Sequence, residues 1–218
     1  MANLNVAPVL RLSHSTLANN LRAILASQKP GDTAAVLDLR RDACGLDADR
    51  IREAVRLVPG IDVLTDHERV DDTNDGNPAT LLPLAAALFS PDPALSLVGS
   101  VLALKSLAAG EGVSYGYRYR APLATTLALL TGGYAQGIVR SLGGQVSVNI
   151  AGERCQIVGA VAMDVCMADI GDAAVSVGDE VEFFGNAVGI SPWTAATGLQ
   201  VDELVAAIGL HLQTEHQR

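Results

Sequence analysis

The fold is decided by the C-terminal half of the chain, and most clearly by residues 146–170, VSVNIAGERCQIVGAVAMDVCMADI. Residues 146–150 alternate apolar and polar side chains, which is the pattern of a strand with one buried face. Residues 151–153, AGE, provide a turn, and two more short strands are predicted at residues 157–161 and 166–170. Short strands joined by glycine-containing turns at this spacing predict an all-β barrel or sandwich.

The same pattern of short predicted strands extends over the C-terminal part of the chain, from residue 94 to residue 218. Further strands are predicted at residues 95–107, 123–130 and 179–184. Two short helices are expected near the end of the chain, one close to Trp193 and one after Gln200. This part of the chain is therefore predicted to form one all-β domain followed by short helices.

Residues 1–93 alternate strand and helix signals instead. Short apolar strands are predicted at residues 9–12, 34–39 and 61–64, and the segments between them have helical spacing. Ser13 and Asp47 are suited to cap those two helices. This β-α-β-α-β order predicts the opening of a parallel α/β layer, so the whole chain is assigned to the α+β class.

The α/β pattern stops after residue 64. Residues 66–80 contain four aspartates and one glutamate and are predicted to form a surface loop. Residues 81–89 predict a short helix, after which Pro91 and Pro93 break the chain. The boundary between the two domains is therefore placed after residue 93.

Composition excludes several classes of function. The net charge of −9, from 15 basic and 24 acidic residues, opposes binding to nucleic acid or to an anionic membrane surface. The three cysteines and the histidines lack the spacing of a disulfide framework or a zinc site, and His211 and His216 lie near a C-terminus expected to fray. With no signal peptide and no long apolar stretch, a cytoplasmic protein without a metal is expected.

Three motifs carry candidate chemistry. Residues 112–116, GVSYG, expose Tyr115 between glycines, and a phenol with a lowered pKa can act as a general base, although a tyrosine at a hairpin end is the structural alternative. Residues 132–137, GGYAQG, lack the spacing of a phosphate loop. Residues 158–164, VGAVAMD, contain Met163, and methionine usually serves packing. Each motif alone indicates little.

Taken in order, these motifs resemble the C-terminal β-domain of bacterial alanine racemase. The order runs from GEGVSYG at residues 110–116 through GGYAQG and VGAVAMD to VGDEV at residues 177–181. The resemblance covers about residues 94–209, and the helices near Trp193 are similar to those that end the family's domain. Gln136, Ala160 and Ala162 depart from the family's pattern, which has Asp, Arg and Cys there.

The N-terminal third resembles the same family more distantly. Residues 42–45, DACG, are similar to the end of the family's cofactor segment, AVVKADAYG, and this alignment places Arg40 at the family's lysine. The chain has two lysines, Lys29 in a Lys-Pro-Gly turn and Lys105 in a β-domain strand, and neither matches that position. Most of the family's eight-stranded barrel, which takes about 250 residues, has no counterpart.

The resemblance implies a dimer that binds pyridoxal phosphate (PLP) on a barrel lysine and moves a proton on and off the substrate's α-carbon. By the same resemblance, Tyr115 is the catalytic acid/base and Met163 is the residue whose backbone meets the substrate carboxylate. The resemblance also implies that residues 9–12 pair with the β-domain. No residue of the chain is assigned to bind the cofactor.

Three functions follow as alternatives. The first is a non-catalytic, homodimeric interaction module that does not bind PLP, because the cofactor lysine is missing. The second is a partner that lends Tyr115 and Met163 in trans to a full-length racemase. The third is a PLP-dependent alanine racemase that interconverts L- and D-alanine for the cell wall, with its cofactor held in an unexpected way.

Overall fold

A computed structural model describes residues 7–28, 34–66 and 79–217, apart from the side chains of Ala34, Ala79 and Tyr115. The chain divides into two compact units. The barrel unit contains Ser96–Leu212 together with the start of the chain up to Val9. The layer unit contains Leu10–Leu95 and the last residues from Gln213 onward.

The layer unit opens with all but the first residue of strand β1, Val9–Ser13, followed by helix α1, His14–Ser27. The side chain of Ser13 accepts a hydrogen bond from the Thr16 N–H, which confirms the predicted helix cap. The buried face of α1 includes Leu17 and Leu21, so the helix packs through an apolar stripe.

A three-stranded parallel sheet follows. Its strands β2, β3 and β4 are Ala34–Asp38, Ile61–Leu64 and Ala79–Leu82, in the spatial order β3-β2-β4. The connecting helices are α2, α3 and α4, which span Arg40–Gly45, Ala48–Val55 and Leu84–Phe89. The predicted cap of α3 at Asp47 is confirmed, since its side chain accepts from the Arg50 N–H.

Two expectations for the layer unit were wrong. Ala79–Leu82 forms a strand, although its first residues were assigned to the acidic loop and its last two to a helix. This strand pairs with β2 through register partners such as Val36 and Leu81, a contact between residues far apart in sequence. Within the described residues, the helix begins only at Leu84. Most of the predicted loop, residues 67–78, lies outside the described residues.

Residues 214–217 form a strand, where a frayed segment was expected. Thr214–Gln217 pairs in parallel with β1, and Leu10 and Thr214 are register partners. Arg11 and Glu215 form an ion pair across the two strands, with 3.3 Å between Nε and Oε2. The expectation of a frayed C-terminus is therefore corrected.

The barrel unit contains a closed antiparallel barrel of six strands. The strands run in the order β12-β9-β10-β11-β8-β5, and β12 pairs back to β5. Each of these six strands is therefore paired on both sides, which removes the sites where strands of other chains could add to them. The strands are β5, Leu95–Leu107; β8, Thr125–Thr131; β9, Ser147–Ile150; β10, Glu153–Val158; β11, Val165–Asp169; and β12, Glu180–Phe184. A small hairpin of β6, Gly112–Val113, and β7, Tyr119–Arg120, lies between β5 and β8.

Two helices follow the barrel, α5 at Ser191–Thr197 and α6 at Val201–Gly209. The single tryptophan, Trp193, is fully buried, and its ring meets Phe184 edge-to-face at a centroid distance of 5.4 Å. The last strand of the chain, β13, is Thr214–Gln217. The predicted α+β fold with an all-β C-terminal domain is confirmed. Within the described residues, no helix is both long enough and apolar enough to cross a membrane.

Candidate functional site

The hairpin of β6 and β7 positions the first motif. Val113 and Tyr119 are register partners, and a 3₁₀ turn, Tyr115–Tyr117, forms the tip. Ser114 enters that turn with a φ of 71° and Gly116 sits within it at 72°, values that a glycine adopts readily and a serine adopts under strain. The backbone of Tyr115 therefore lies at the hairpin tip, whereas its side chain is outside the described part of the structure.

The second and third motifs are held together by backbone hydrogen bonds. Tyr134 and Ala135 donate their N–H groups to the carbonyl oxygens of Ala162 and Met163, both at 2.9 Å. A side chain at Gly133 would place its Cβ 2.3 Å from the carbonyl oxygen of Met163. The glycine is required because the two loops approach so closely.

Ser114 connects the hairpin to the third motif. Its Oγ accepts a hydrogen bond from the Ala160 N–H at 2.9 Å. Gly159 packs directly against it, since a Cβ at that position would lie 2.4 Å from the Ser114 Cβ. The barrel unit thus brings the three motifs to one place.

A cavity of about 450 Å³ lies where these loops meet. Met163 is 55% exposed and Tyr134 is 40% exposed at this surface. The Arg140 guanidinium lies 5.8 Å from the centroid of the Tyr134 ring, within reach of a cation–π contact. Ser114, Leu129 and Cys166 also line the cavity. A concave, mostly apolar site with one cation and one phenol suits a small ligand with an anionic group.

Three described titratable groups in this part of the barrel unit, Cys166, Tyr119 and Asp169, have shifted pKa values. Burial raises the pKa of the Cys166 thiol to about 12, so the thiolate is not formed near neutral pH. Burial and a hydrogen bond to Asp169 raise the pKa of Tyr119 to about 12. Partial burial opposes ionisation of Asp169, but hydrogen bonds led by that of Thr125 outweigh it and lower the pKa of this carboxyl.

The Ser114 contact and the Tyr119–Asp169–Thr125 network are absent from the sequence predictions. A serine beside a glycine-flanked turn could have indicated the first, because serine side chains often bond to nearby backbone. The second joins residues 50 and 44 positions apart, and no local pattern indicates it.

The residue aligned with the family's lysine is engaged elsewhere. Arg40 follows β2, and its guanidinium donates to the two carboxylate oxygens of Asp38 at 2.9 and 2.6 Å. Residues 41–44 have φ between 51 and 62°, a left-handed turn that costs about 1–2 kcal/mol per residue for non-glycine residues. The Arg41 N–H donates to the Asp66 carboxylate at 2.9 Å, which helps to hold this turn.

The described residues do not fit covalent binding of PLP. An internal aldimine requires a lysine amine, and arginine does not supply one. Lys105 lies in β5 with its side chain 63% exposed and forms an ion pair with Glu111 at 3.2 Å. Lys29 lies outside the described residues. In the described part of the chain, no group of three or more His, Cys, Asp or Glu side chains is arranged to hold a metal ion.

Comparison with known proteins places these features in a family. The sequence profile of "Alanine racemase, C-terminal domain" matches residues 94–216. The alanine racemase of Mycobacterium tuberculosis is 50% identical over 95 residues, which are 43% of this chain and 25% of that protein. The alanine racemase of Frankia casuarinae is 40% identical over 127 residues, 56% of this chain and 33% of that protein. The matched part of the chain therefore spans a quarter to a third of the length of these relatives.

Solved alanine racemases have the same fold. The biosynthetic enzyme of Pseudomonas aeruginosa superposes with a TM-score of 0.78 at 15% identity, covering 97% of this chain and 99% of that chain. The Streptomyces coelicolor enzyme gives a TM-score of 0.78 at 17% identity, covering 99% of both chains. The Bartonella henselae enzyme, solved with covalently bound pyridoxal phosphate, gives 0.77 at 14% identity, with coverage of 97% and 99%.

An α/β layer and a closed antiparallel barrel, with three motif loops meeting on the barrel, define a protein of the racemase fold class. The match over residues 94–216 is specific to one family within it. The chain belongs to the alanine racemase family, through that family's C-terminal domain.

Proposed function

We propose that the chain is a non-catalytic member of the alanine racemase family that acts as a binding and interaction module. The observation that carries this proposal is that Arg40, which aligns with the family's lysine, and Lys105 are both held in ion pairs. Arg40 is ion-paired with Asp38, and Lys105 is ion-paired with Glu111 on an exposed stretch of β5. A guanidinium keeps its proton at physiological pH and does not form an imine.

In this proposal the chain keeps the loops of a racemase site that bind a ligand. Met163 lies in a loop fixed by the N–H groups of Tyr134 and Ala135, and that loop borders the cavity. We assign the Met163 backbone to contact with a carboxylate ligand. Tyr115, at the hairpin tip, has no acid/base role in this proposal, and such a role belongs to the trans-acting alternative below.

Homodimerisation is part of the same proposal. Tyr117 and Leu123 are exposed by 66% and 74%, and Met163 adds a third exposed apolar side chain of the same unit. Tyrosine and methionine are enriched in interfaces between proteins. Sedimentation equilibrium of the intact chain at micromolar concentration is expected to give twice the monomer mass, and a monomer only would contradict this assignment.

Covalent cofactor binding is tested by absorption spectroscopy. The purified chain is mixed with PLP, treated with borohydride and measured by intact-mass spectrometry. We expect no aldimine absorption band, no reduced adduct at one defined lysine and no racemisation of L-alanine. Lys29→Ala and Lys105→Ala serve as matched controls. An adduct and an activity that both disappear in one of these variants would establish a PLP racemase instead.

Action in trans is the second candidate, and the complete assembly of the three motif loops favours it. A full-length racemase whose own Ser-Tyr-Gly tyrosine is changed to phenylalanine is mixed with this chain. Under the leading proposal the mixture stays inactive. Activity restored by the unmodified chain, retained by Tyr117→Phe and lost with Tyr115→Phe would establish the trans-acting function. Tyr117 is a suitable control because it lies in the same 3₁₀ turn.

A further inference from the structure

A second pocket of about 400 Å³ lies on the barrel unit, next to the cavity described above. Its lining includes two arginines, Arg118 and Arg140, and two glutamines, Gln145 and Gln156. Arg118 follows the hairpin tip, whereas Arg140 begins the 3₁₀ turn Arg140–Leu142. The pocket is therefore polar and carries two positive charges, unlike the mostly apolar cavity.

Both guanidinium groups are free of carboxylate partners within the described residues. Arg140 lies over the Tyr134 ring, and neither Arg140 nor Arg118 has an ion pair among the residues that the structure describes. Among the described residues, Arg11, Arg40, Arg50 and Arg52 pair with nearby carboxylates. The pocket thus brings together two positive charges without a carboxylate partner in the described part of the chain, whose net charge is −9 overall.

Asp169, a carboxylate opposite a pocket residue in the strand register, already accepts several hydrogen bonds. Asp169 is the register partner of Gln156, and it accepts hydrogen bonds from the hydroxyls of Tyr119 and Thr125 and from the Gly171 N–H. Its lone pairs are thus directed at these three donors. The carboxylate lowers the local potential but does not neutralise the arginines by direct contact.

The floor of the pocket is built from tightly packed backbone. A Cβ at Gly143 would lie 1.8 Å from the carbonyl oxygen of Gly159, so only glycine allows this approach. Gly144 donates its N–H to Ile157 at 2.7 Å, and its carbonyl accepts from the Gln156 Nε2 at 3.1 Å. These contacts fix the position of the Gln156 amide relative to the turn that carries Arg140.

We propose that this pocket binds a phosphate dianion, either free or as a small phosphate monoester. Two guanidinium groups match two negative charges, and each can donate two parallel N–H groups to phosphate oxygens. The glutamine side chains supply neutral donors that tolerate a bound anion. This pocket adjoins the cavity of the proposed function and shares Arg140 with it, whereas Arg118 lines this pocket alone, so the Arg118 variants test this assignment independently of the proposed function.

Calorimetric titration of the intact chain with inorganic phosphate at low ionic strength tests the proposal, because salt screens exposed charges. We expect saturable binding with one phosphate per chain. Arg118→Gln and Arg140→Gln should each weaken binding about tenfold, the loss of one charge-assisted contact. Arg118→Lys should weaken it less, because it keeps the charge but loses the planar fork.

The control is Arg154→Gln, which removes the same charge from an exposed position in β10 outside the pocket lining. It should leave phosphate affinity within about twofold of the unmodified chain, as expected for a distant exposed charge. Acetate, a monoanion, should bind more weakly than phosphate. Absence of saturable binding, equal losses in Arg118→Gln and Arg154→Gln, or acetate binding as tight as phosphate would each overturn the proposal. Trp193 fluorescence checks that each variant is folded. If Arg140→Gln does not fold, Arg118→Gln alone tests the proposal.

Discussion

Replacement of Gly159 by alanine tests whether the three motif loops depend on one tight contact. Gly159 has a φ of 69°, and an added Cβ would lie 2.4 Å from the Ser114 Cβ and 2.7 Å from its Oγ. Gly110 provides a matched control, because its φ is 82° and an added Cβ meets nothing within 4 Å. Both variants make the same chemical change in a left-handed residue, and only one of them creates a collision.

The expected magnitudes follow from these contacts. A left-handed alanine costs about 1–2 kcal/mol, and this backbone term is shared by the two variants. Forcing apart the Gly159 and Ser114 segments adds about 1–3 kcal/mol of overpacking. Displacing Ser114 also weakens its 2.9 Å bond to the Ala160 N–H, a further loss of about 1 kcal/mol. Gly159→Ala should therefore lower the free energy of unfolding by about 2–4 kcal/mol more than Gly110→Ala.

Urea unfolding monitored by Trp193 fluorescence measures this difference. The tryptophan is the only one in the chain and is fully buried in the barrel unit. In the background of Gly159→Ala, Ser114→Gly should restore part of the loss, because it removes the Cβ that collides. Equal destabilisation by the two alanine variants, or no rescue by Ser114→Gly, would refute the proposed role of this contact.

Two further predictions concern titratable groups. Burial and the neighbouring charge of His14 lower the pKa of His216, with 2.9 Å between the two ring nitrogens. Asp47 and Arg50 act on the same ring in opposite directions. The folded pKa of His216 therefore lies below its unfolded value of about 6.5, so the unfolded chain binds more protons as the pH falls. The contribution of His216 to stability is complete above about pH 6.5 and is lost progressively below it. Thermal unfolding at about pH 7.5 and about pH 5.5 should show this loss, and His216→Asn should reduce it; an unchanged pH dependence would contradict the prediction. Thiol labelling of the native protein should modify the half-buried Cys44 and spare Cys166, whose pKa is raised to about 12 by burial; labelling of both at equal rates would contradict the assigned burial.

The barrel strands could be predicted from sequence because their signal is local. Alternation in residues 146–150 corresponds to β9, Ser147–Ile150, and the apolar run before Phe184 corresponds to β12, Glu180–Phe184. In an antiparallel barrel each strand has one buried face, so period-two alternation is visible without knowledge of the partner strand.

The missed strands depend on distant partners. Ala79–Leu82 is only four residues long, and it becomes a strand by pairing in parallel with β2. Thr214–Gln217 is equally short, and its His216 meets a histidine 202 positions earlier. Short segments carry too little periodicity to distinguish strand from loop, and the pairing that stabilises them is non-local.

The sequence could predict which loops form the candidate site, but it could not predict how they are arranged in space. The ordered motifs indicated the family, and the structure then placed Ser114, Tyr134 and Met163 around one cavity. The requirement for Gly133 arises from carbonyl oxygens of another loop and is not visible in its own motif. The role of Tyr115 as an acid/base and that of Met163 as a carboxylate contact stay predictions.

The two units differ in how completely their strands are paired. The barrel is closed by the β12–β5 pairing, so its strands satisfy one another. The parallel sheet of the layer unit has only the order β3-β2-β4 among the described residues, which leaves β3 and β4 as its outer strands. Parallel sheets are usually covered on both faces, and three strands are too few to close a barrel of eight. The six barrel strands therefore satisfy one another, whereas the described sheet of the layer unit has two outer strands, and this difference supports the interaction module proposed above.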